Sequence, residues 1–179
     1  MKLVLLDRDG VLLEERPGYV KSLEEIVIIP RALEALALLK QKGFTCVLVT
    51  NQSVVGRGII SQATLNRIHD FLCETVEVHG GKIDSLYFCT DHPDQATYRR
   101  KPKPGMLIEA LEKYGAAAEE TAFIGDTISD MMAAHEAGCK RYMVKTGKGQ
   151  QEIGALPNDL QPVIICEDIL DAAHKIING

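Results

Sequence analysis

Lys2-Leu3-Val4-Leu5-Leu6-Asp7-Arg8-Asp9-Gly10 is the stretch from which the fold is read. A short apolar run breaks abruptly into two acids and a glycine. A strand exposed on one face alternates apolar and polar residues. A nearly continuous apolar run instead fits a strand covered on both faces, as in a parallel sheet. Two carboxylates at its exit are costly unless they are paired or bound to metal. Gly10 allows a sharp turn where a ligand comes close. By itself the exit also fits an Asx-turn, which aspartate favours.

Outward from this strand the same pattern recurs. Phe44–Val49, Ile83–Cys89, Thr121–Gly125, Arg141–Val144 and Val163–Cys166 read as further strands, with a short strand-like run at Ile26–Ile29. Amphipathic stretches lie between them. One opens at Pro30, places Leu33, Leu36, Ala37 and Leu39 on one face, and ends at Gly43. Ser61 caps the next, whose stripe is Leu65, Ile68, Leu72 and Val76. Helices are also expected from Pro104 to Gly115, over Thr127–Ala137, and over Asp168–Ile177. This alternation predicts an α/β fold, a doubly wound, Rossmann-like parallel sheet with right-handed crossovers, in a single domain spanning residues 1–179. Lys145–Pro162 is rich in turn residues and reads as the loosest segment.

Ligands in such sheets bind beyond the carboxyl ends of the strands. Four segments fall there. Asp7-Arg8-Asp9-Gly10 is the first. Thr50-Asn51-Gln52-Ser53 offers hydroxyls, amides and N–H groups suited to phosphate oxygens. Arg100-Lys101-Pro102-Lys103-Pro104-Gly105 puts cations just before a helix N-terminus, where anions are favoured. Gly125-Asp126 is followed by Asp130 one turn into a helix, although Asp126 alone fits an ordinary N-cap. Acids converging from two strands repel in low dielectric, and a hard divalent ion such as Mg²⁺ relieves that conflict.

Composition narrows the classes. Twenty basic and 25 acidic residues give a net charge of −5, with 46% hydrophobic residues. Mild acidity argues against nucleic-acid and polybasic membrane binding. No apolar run approaches the ~20 residues that cross a bilayer, and a charge falls too early for a signal peptide. A cytoplasmic protein is expected. Its five cysteines, Cys46, Cys73, Cys89, Cys139 and Cys166, form no CxxC and read as reduced, mostly buried thiols.

The four strand-end segments, in this order, resemble the motifs of the haloacid dehalogenase superfamily of phosphohydrolases, over about Lys2 to Val144. The resemblance implies that Asp7 is a nucleophile forming an aspartyl-phosphate and that Asp9 is the general acid and base. It implies Mg²⁺ held by Asp7, the backbone carbonyl of Asp9, and Asp126, with Lys101 and Thr50 on the phosphoryl oxygens. Larger members carry a cap domain. Neither Gly10–Phe44 nor Cys89–Arg100 leaves space for one, so an open site is expected.

Asp7–Val20 and the Thr50–Gly58 loop further resemble the D-glycero-D-manno-heptose 1,7-bisphosphate phosphatases of lipopolysaccharide and S-layer sugar synthesis. The related histidinol-phosphate phosphatases differ after Thr50-Asn51-Gln52. The resemblance implies a small phosphorylated sugar as substrate, contacted by Arg57 and Arg100 beside Asn51, Gln52 and Ser53. Both families usually carry a zinc loop of Cys-x-His and Cys-x-Cys. Here Cys89-Thr90-Asp91-His92 is one residue too long, and Thr97 and Arg99 stand where the second pair belongs, so zinc is not expected. His69, His79, His135 and His174 fall on expected helices away from the strand ends and read as surface or boundary residues. A monomeric enzyme is expected. A histidinol-phosphate or broad metabolite phosphatase, a nucleic-acid 3′-phosphatase and a non-catalytic binding protein are the weaker readings.

Overall fold

The computed structural model describes all residues from Met1 to Gly179. Strand β1 (Leu3–Leu6) is buried at every position. It lies in a six-stranded sheet of order β3-β2-β1-β4-β5-β6. The other strands are β2 (Thr45–Asn51), β3 (Ser85–Cys89), β4 (Ala122–Gly125), β5 (Lys140–Val144) and β6 (Val163–Cys166). Every neighbouring pair is parallel. From β1 the chain winds outward through β2 and β3, then returns to β4 on the other side. The switch in winding therefore sits at the carboxyl ends of β1 and β4, where Asp7 and Asp126 emerge.

The period-two geometry of a strand explains the unbroken apolar runs. Val4, Leu6, Cys46, Leu48 and Ile124 face α1 (Ala32–Gln41), α7 (Ile169–Asn178) and the Leu72–Val76 part of α3 (Gln62–Val78). Leu3, Leu5, Val47, Val49 and Phe123 face the opposite layer, α4 (Gly105–Tyr114) and α5 (Ile128–Glu136). Removing one of these large aliphatic side chains would cost about 2–5 kcal/mol, through lost transfer energy and a residual cavity.

Helix ends follow local chemistry. Ser61 Oγ accepts from the Thr64 N–H at 3.0 Å, and Thr127 forms a reciprocal capping box with Asp130. α4 ends on Gly115, which takes the left-handed conformation at φ 56°.

Three segments depart from the sequence-based expectation. Ile26–Ile29 is not a strand: it makes one isolated bridge, Leu13 to Ile28, beside a 3₁₀ turn at Leu23–Glu25. A short helix, α2 (Ser53–Gly56), follows β2 without a side-chain cap to announce it. Lys145–Pro162 is not loose. It holds α6 (Gly149–Glu152) and two 3₁₀ turns, and hydrogen-bonds to the β1 and β4 exits as described below. Between β3 and α4 there is only a 3₁₀ turn, Pro93–Gln95, and no inserted domain. No helix is long and apolar enough to cross a membrane. All five cysteines are free and four are buried.

Candidate active site

Asp7 leaves β1 with its carboxylate held from two sides. The Arg8 backbone N–H donates to Oδ1 at 2.7 Å, and Lys101 Nζ lies 3.1 Å from Oδ2. Lys101 is buried and also meets Asp130 Oδ1 at 2.7 Å and the Val49 carbonyl at 2.9 Å. Burial alone would lower the lysine's pKa. The carboxylates of Asp130 and Asp7 outweigh it, so the ammonium is held charged.

The loop that delivers Lys101 is pinned by Asn51 at the end of β2. Asn51 Nδ2 donates to the Lys101 carbonyl at 2.9 Å, and the Lys101 N–H donates to Asn51 Oδ1 at 3.1 Å. The Asn51 amide is therefore engaged with protein rather than offered to an anion.

Asp126 leaves β4 beside Asp7. Its Oδ2 accepts from the Lys148 N–H at 2.9 Å, and its buried Oδ1 has no hydrogen-bond partner. Oxygens of Asp7, Asp126 and Asp130 lie within 4.8 Å of one another. Asp130 is otherwise occupied: Oδ1 meets Lys101, and Oδ2 accepts from the N–H groups of Asp126 and Thr127, both at 3.1 Å. Burial first, then the neighbouring acids, raise Asp7 to about 7 and Asp126 to about 9, with Lys101 drawing Asp7 back down. Crowded carboxylates and one orphaned buried oxygen fit a hard cation with oxygen ligands. The backbone around them leaves that space open. A Cβ on Gly10 would sit 2.0 Å from Asp126 Oδ2, and one on Gly147 2.2 Å from the same atom. Both glycines have positive φ, so other residues would also be strained there.

The segment after β5 completes this wall. Thr146 Oγ1 donates to the Gly10 carbonyl at 2.6 Å, and Lys148 Nζ pairs with Glu15 at 2.6 Å. The Ile128 N–H donates to Glu152 Oε2 at 2.5 Å. Sequence reasoning missed these contacts because two of them run through backbone atoms, which leave no side-chain pattern.

Asp9 faces the same space and is gripped from behind. The Arg8 guanidinium donates to Asp9 Oδ1 at 3.0 and 3.2 Å and to Oδ2 at 2.9 Å. Gln52 Nε2 donates to Asp9 Oδ2 at 2.7 Å and to Thr50 Oγ1 at 3.0 Å. Gln52 thus holds Asp9 and does not line the cavity, which corrects its expected place among the phosphate-binding groups. His69 also corrects the sequence reading. It is buried rather than at the surface, and its Nε2 lies 3.2 Å from Arg8 NH1.

A cavity of 620 Å³ opens at this edge, lined by Asp7, Asp9, Thr50, Lys101 and Asp126. Asn51, Ser53, Arg57 and Arg100 line it too, with Arg16 and Lys148 as further cations. Arg100 NH1 donates to the Asp91 carbonyl at 3.2 Å, which ties it to the β3 exit. The loop after β3 is held by its own contacts. Asp91 Oδ2 accepts from the Thr97 N–H and hydroxyl at 2.8 and 2.6 Å, and Arg99 pairs with Glu109 at 2.7 Å.

Carboxylates at the exits of two strands, a buried ammonium and an acidic cluster that could hold a metal ion surround one cavity, an arrangement suited to phosphoryl transfer. Comparison with known proteins agrees. A family model described as HAD-hydrolase-like matches residues 98–172. The chain is 37% identical over 179 residues to the D-glycero-beta-D-manno-heptose-1,7-bisphosphate 7-phosphatase of Bordetella bronchiseptica, covering 99% of this chain and 98% of that one. It is 39% identical over 176 residues to the enzyme of the same name from Pseudomonas aeruginosa, covering 98% and 97%. The crystal structure of the B. bronchiseptica D,D-heptose 1,7-bisphosphate phosphatase, complexed with magnesium and phosphate, matches with a TM-score of 0.95 at 37% identity and 99% coverage of both chains. That of the Burkholderia thailandensis enzyme matches at 0.78 and 30% identity, covering 100% of each.

Proposed function

The chain belongs to the haloacid dehalogenase phosphatases related to the heptose-1,7-bisphosphate 7-phosphatases, and from that premise we propose that it removes the 7-phosphate of D-glycero-D-manno-heptose 1,7-bisphosphate through an aspartyl-phosphate on Asp7. The observation that carries this reading is the shared cavity. Asp7 and Lys101 line it, and so do Arg57 and Arg100. A bisphosphate needs both: one phosphate at the reacting carboxylate and a second anion for the arginines to grip.

The residues divide the work as follows. An Asp7 carboxylate oxygen attacks phosphorus, and the bond from phosphorus to the sugar oxygen breaks. Asp9 gives its proton to that departing oxygen. Water then attacks the phosphorus of the aspartyl-phosphate, Asp9 takes up its proton, and the Asp7–phosphorus bond breaks to release inorganic phosphate. Lys101 and the Thr50 hydroxyl hold the phosphoryl oxygens through both steps. Asp7, the backbone carbonyl of Asp9 and Asp126 would hold Mg²⁺. Bound there, the ion shields negative charge so that an anionic carboxylate and an anionic phosphate can meet.

The test is a panel of phosphorylated metabolites assayed with Mg²⁺ on the wild-type protein and on Asp7→Asn. The heptose bisphosphate is expected to have the highest kcat/KM, and Asp7→Asn to abolish turnover of every substrate. A preference for histidinol phosphate would replace the substrate assignment. Turnover by Asp7→Asn above about a tenth of wild type would remove Asp7 from the nucleophile's role.

A further inference from the structure

Arg8 is among the largest fully buried side chains of the protein, with a relative exposure of 1%. A buried guanidinium is poor evidence of a stabilising device, because a well-packed apolar residue of similar volume often serves stability as well or better. Its placement suggests another purpose. It spends its donors on Asp9, on Gln52 Oε1 at 2.8 Å, and on His69 Nε2 at 3.2 Å. Arginine can only donate, so His69 must accept through a lone pair on Nε2, which places its own proton on Nδ1. Burial, and then the Arg8 charge, push His69 down to about 3, so the ring stays neutral as this contact requires. The ring is also packed against Phe88, with centroids 5.2 Å apart. Helix α3 therefore presents a fixed acceptor that orients the far side of the guanidinium, while its near side holds both oxygens of Asp9.

We propose that His69 is a positioning residue for the acid–base chemistry of Asp9, acting through the guanidinium of Arg8. The inference rests on Asp9 being the acid and base, as in the preceding section. His69 touches no reacting atom. It fixes the plane of Arg8, and Arg8 fixes the direction in which Asp9 meets the leaving oxygen. Without an acceptor at this position, NH1 loses its partner in a buried site, and the fork can rotate off the Asp9 oxygens. Proton transfer would suffer, whereas binding of the phosphoryl group by Lys101 and Thr50 would not.

The experiment compares His69→Leu, which fills the space without an acceptor, with His69→Gln, whose amide oxygen can accept. Asp9→Asn serves as reference. Each is assayed with an alkyl phosphate, whose departing oxygen needs a proton, and with an aryl phosphate, which needs one much less. Thermal unfolding confirms that each variant is folded. His69→Leu is expected to lower kcat on the alkyl substrate by about ten- to hundredfold and on the aryl substrate by less than about threefold, with KM unchanged for both. His69→Gln is expected to recover alkyl activity to within about threefold of wild type. Equal losses on the two substrates, no loss, or a Gln variant no better than Leu would each overturn the positioning role. If Asp9→Asn discriminates between the substrates and His69→Leu does not, the positioning role alone falls. If Asp9→Asn discriminates between neither, the acid–base assignment of Asp9 falls and takes this inference with it.

Discussion

Asn51 and Lys101, fifty residues apart in the chain, are joined by two hydrogen bonds that run in opposite directions between one side-chain amide and one backbone. Nδ2 donates to the Lys101 carbonyl at 2.9 Å, and the Lys101 N–H donates to Oδ1 at 3.1 Å. The end of β2 thereby dictates where the Lys101 ammonium stands beside Asp7. Asn51→Ala should leave both Lys101 backbone groups unpaired in a buried site, costing about 1–3 kcal/mol in a denaturant titration. Its kcat/KM should fall by a similar factor on every phosphate ester, because Lys101 acts on the group common to all of them. A loss confined to bisphosphates would place Asn51 on the substrate instead.

Arg57 and Arg100 should behave in the opposite way. Each Ala variant removes a cation that lines the cavity, which the proposed function assigns to the second phosphate. A charge-assisted contact of this kind contributes on the order of 1.5–3 kcal/mol, so kcat/KM on the bisphosphate should fall about tenfold to hundredfold. An aryl monophosphate has no second anion and should be little affected. Parallel losses on both substrates would mean that the arginines serve the core site.

The metal-free protein should lose stability as pH rises. Asp7 and Asp126 are pushed up to about 7 and about 9, mainly by burial, from an ordinary 3.8. Between the ordinary value and these folded values, the folded chain keeps protons that the unfolded chain has released. Unfolding then releases protons, and stability declines with pH until both groups are ionised. His69, pushed down to about 3, acts in the opposite sense below its ordinary 6.5, so the comparison belongs above that value. In EDTA, Tm should fall between about pH 6.5 and about pH 9, and the rise in Tm on adding Mg²⁺ should grow over the same interval. A flat Tm in EDTA would contradict the crowding of these acids.

Gly147→Ala tests the wall around Asp126 without altering a ligand. The new Cβ would fall 2.2 Å from Asp126 Oδ2 and 2.5 Å from the Gly10 Cα, at a φ of 59°. Asp126 or the loop must shift. The variant should need more Mg²⁺ to reach half its maximal Tm rise, and calorimetry should read weaker binding. Unchanged affinity would show that the loop after β5 gives way without disturbing the pocket.

Much of this was legible in the sequence because the sheet is covered on both faces. Apolar runs such as Leu3–Leu6 then stand out against their charged exits, and parallel winding gathers those exits at one edge. Asp7, Asp9, Thr50, Lys101 and Asp126 accordingly line one cavity. The parts that escaped have physical reasons. Arg8 sits between two acids and looks solvated, yet its guanidinium is buried against Asp9, Gln52 and His69. His69 lies four residues after Leu65 and so on the buried stripe of α3, a spacing that points inward despite the polar ring. Gln52 was read by its chemistry alone, which suits phosphate and suits Asp9 equally well. The brace on Asp126 comes from the backbone N–H of Lys148, and no residue type announces that.

The substrate assignment is tested most directly by following the hydrolysis of D-glycero-D-manno-heptose 1,7-bisphosphate with Mg²⁺ by phosphorus NMR. The account predicts that the 7-phosphate signal disappears with the matching appearance of inorganic phosphate, while the anomeric 1-phosphate signal remains. Loss of the anomeric phosphate, or a bisphosphate left intact while histidinol phosphate is consumed, would contradict it.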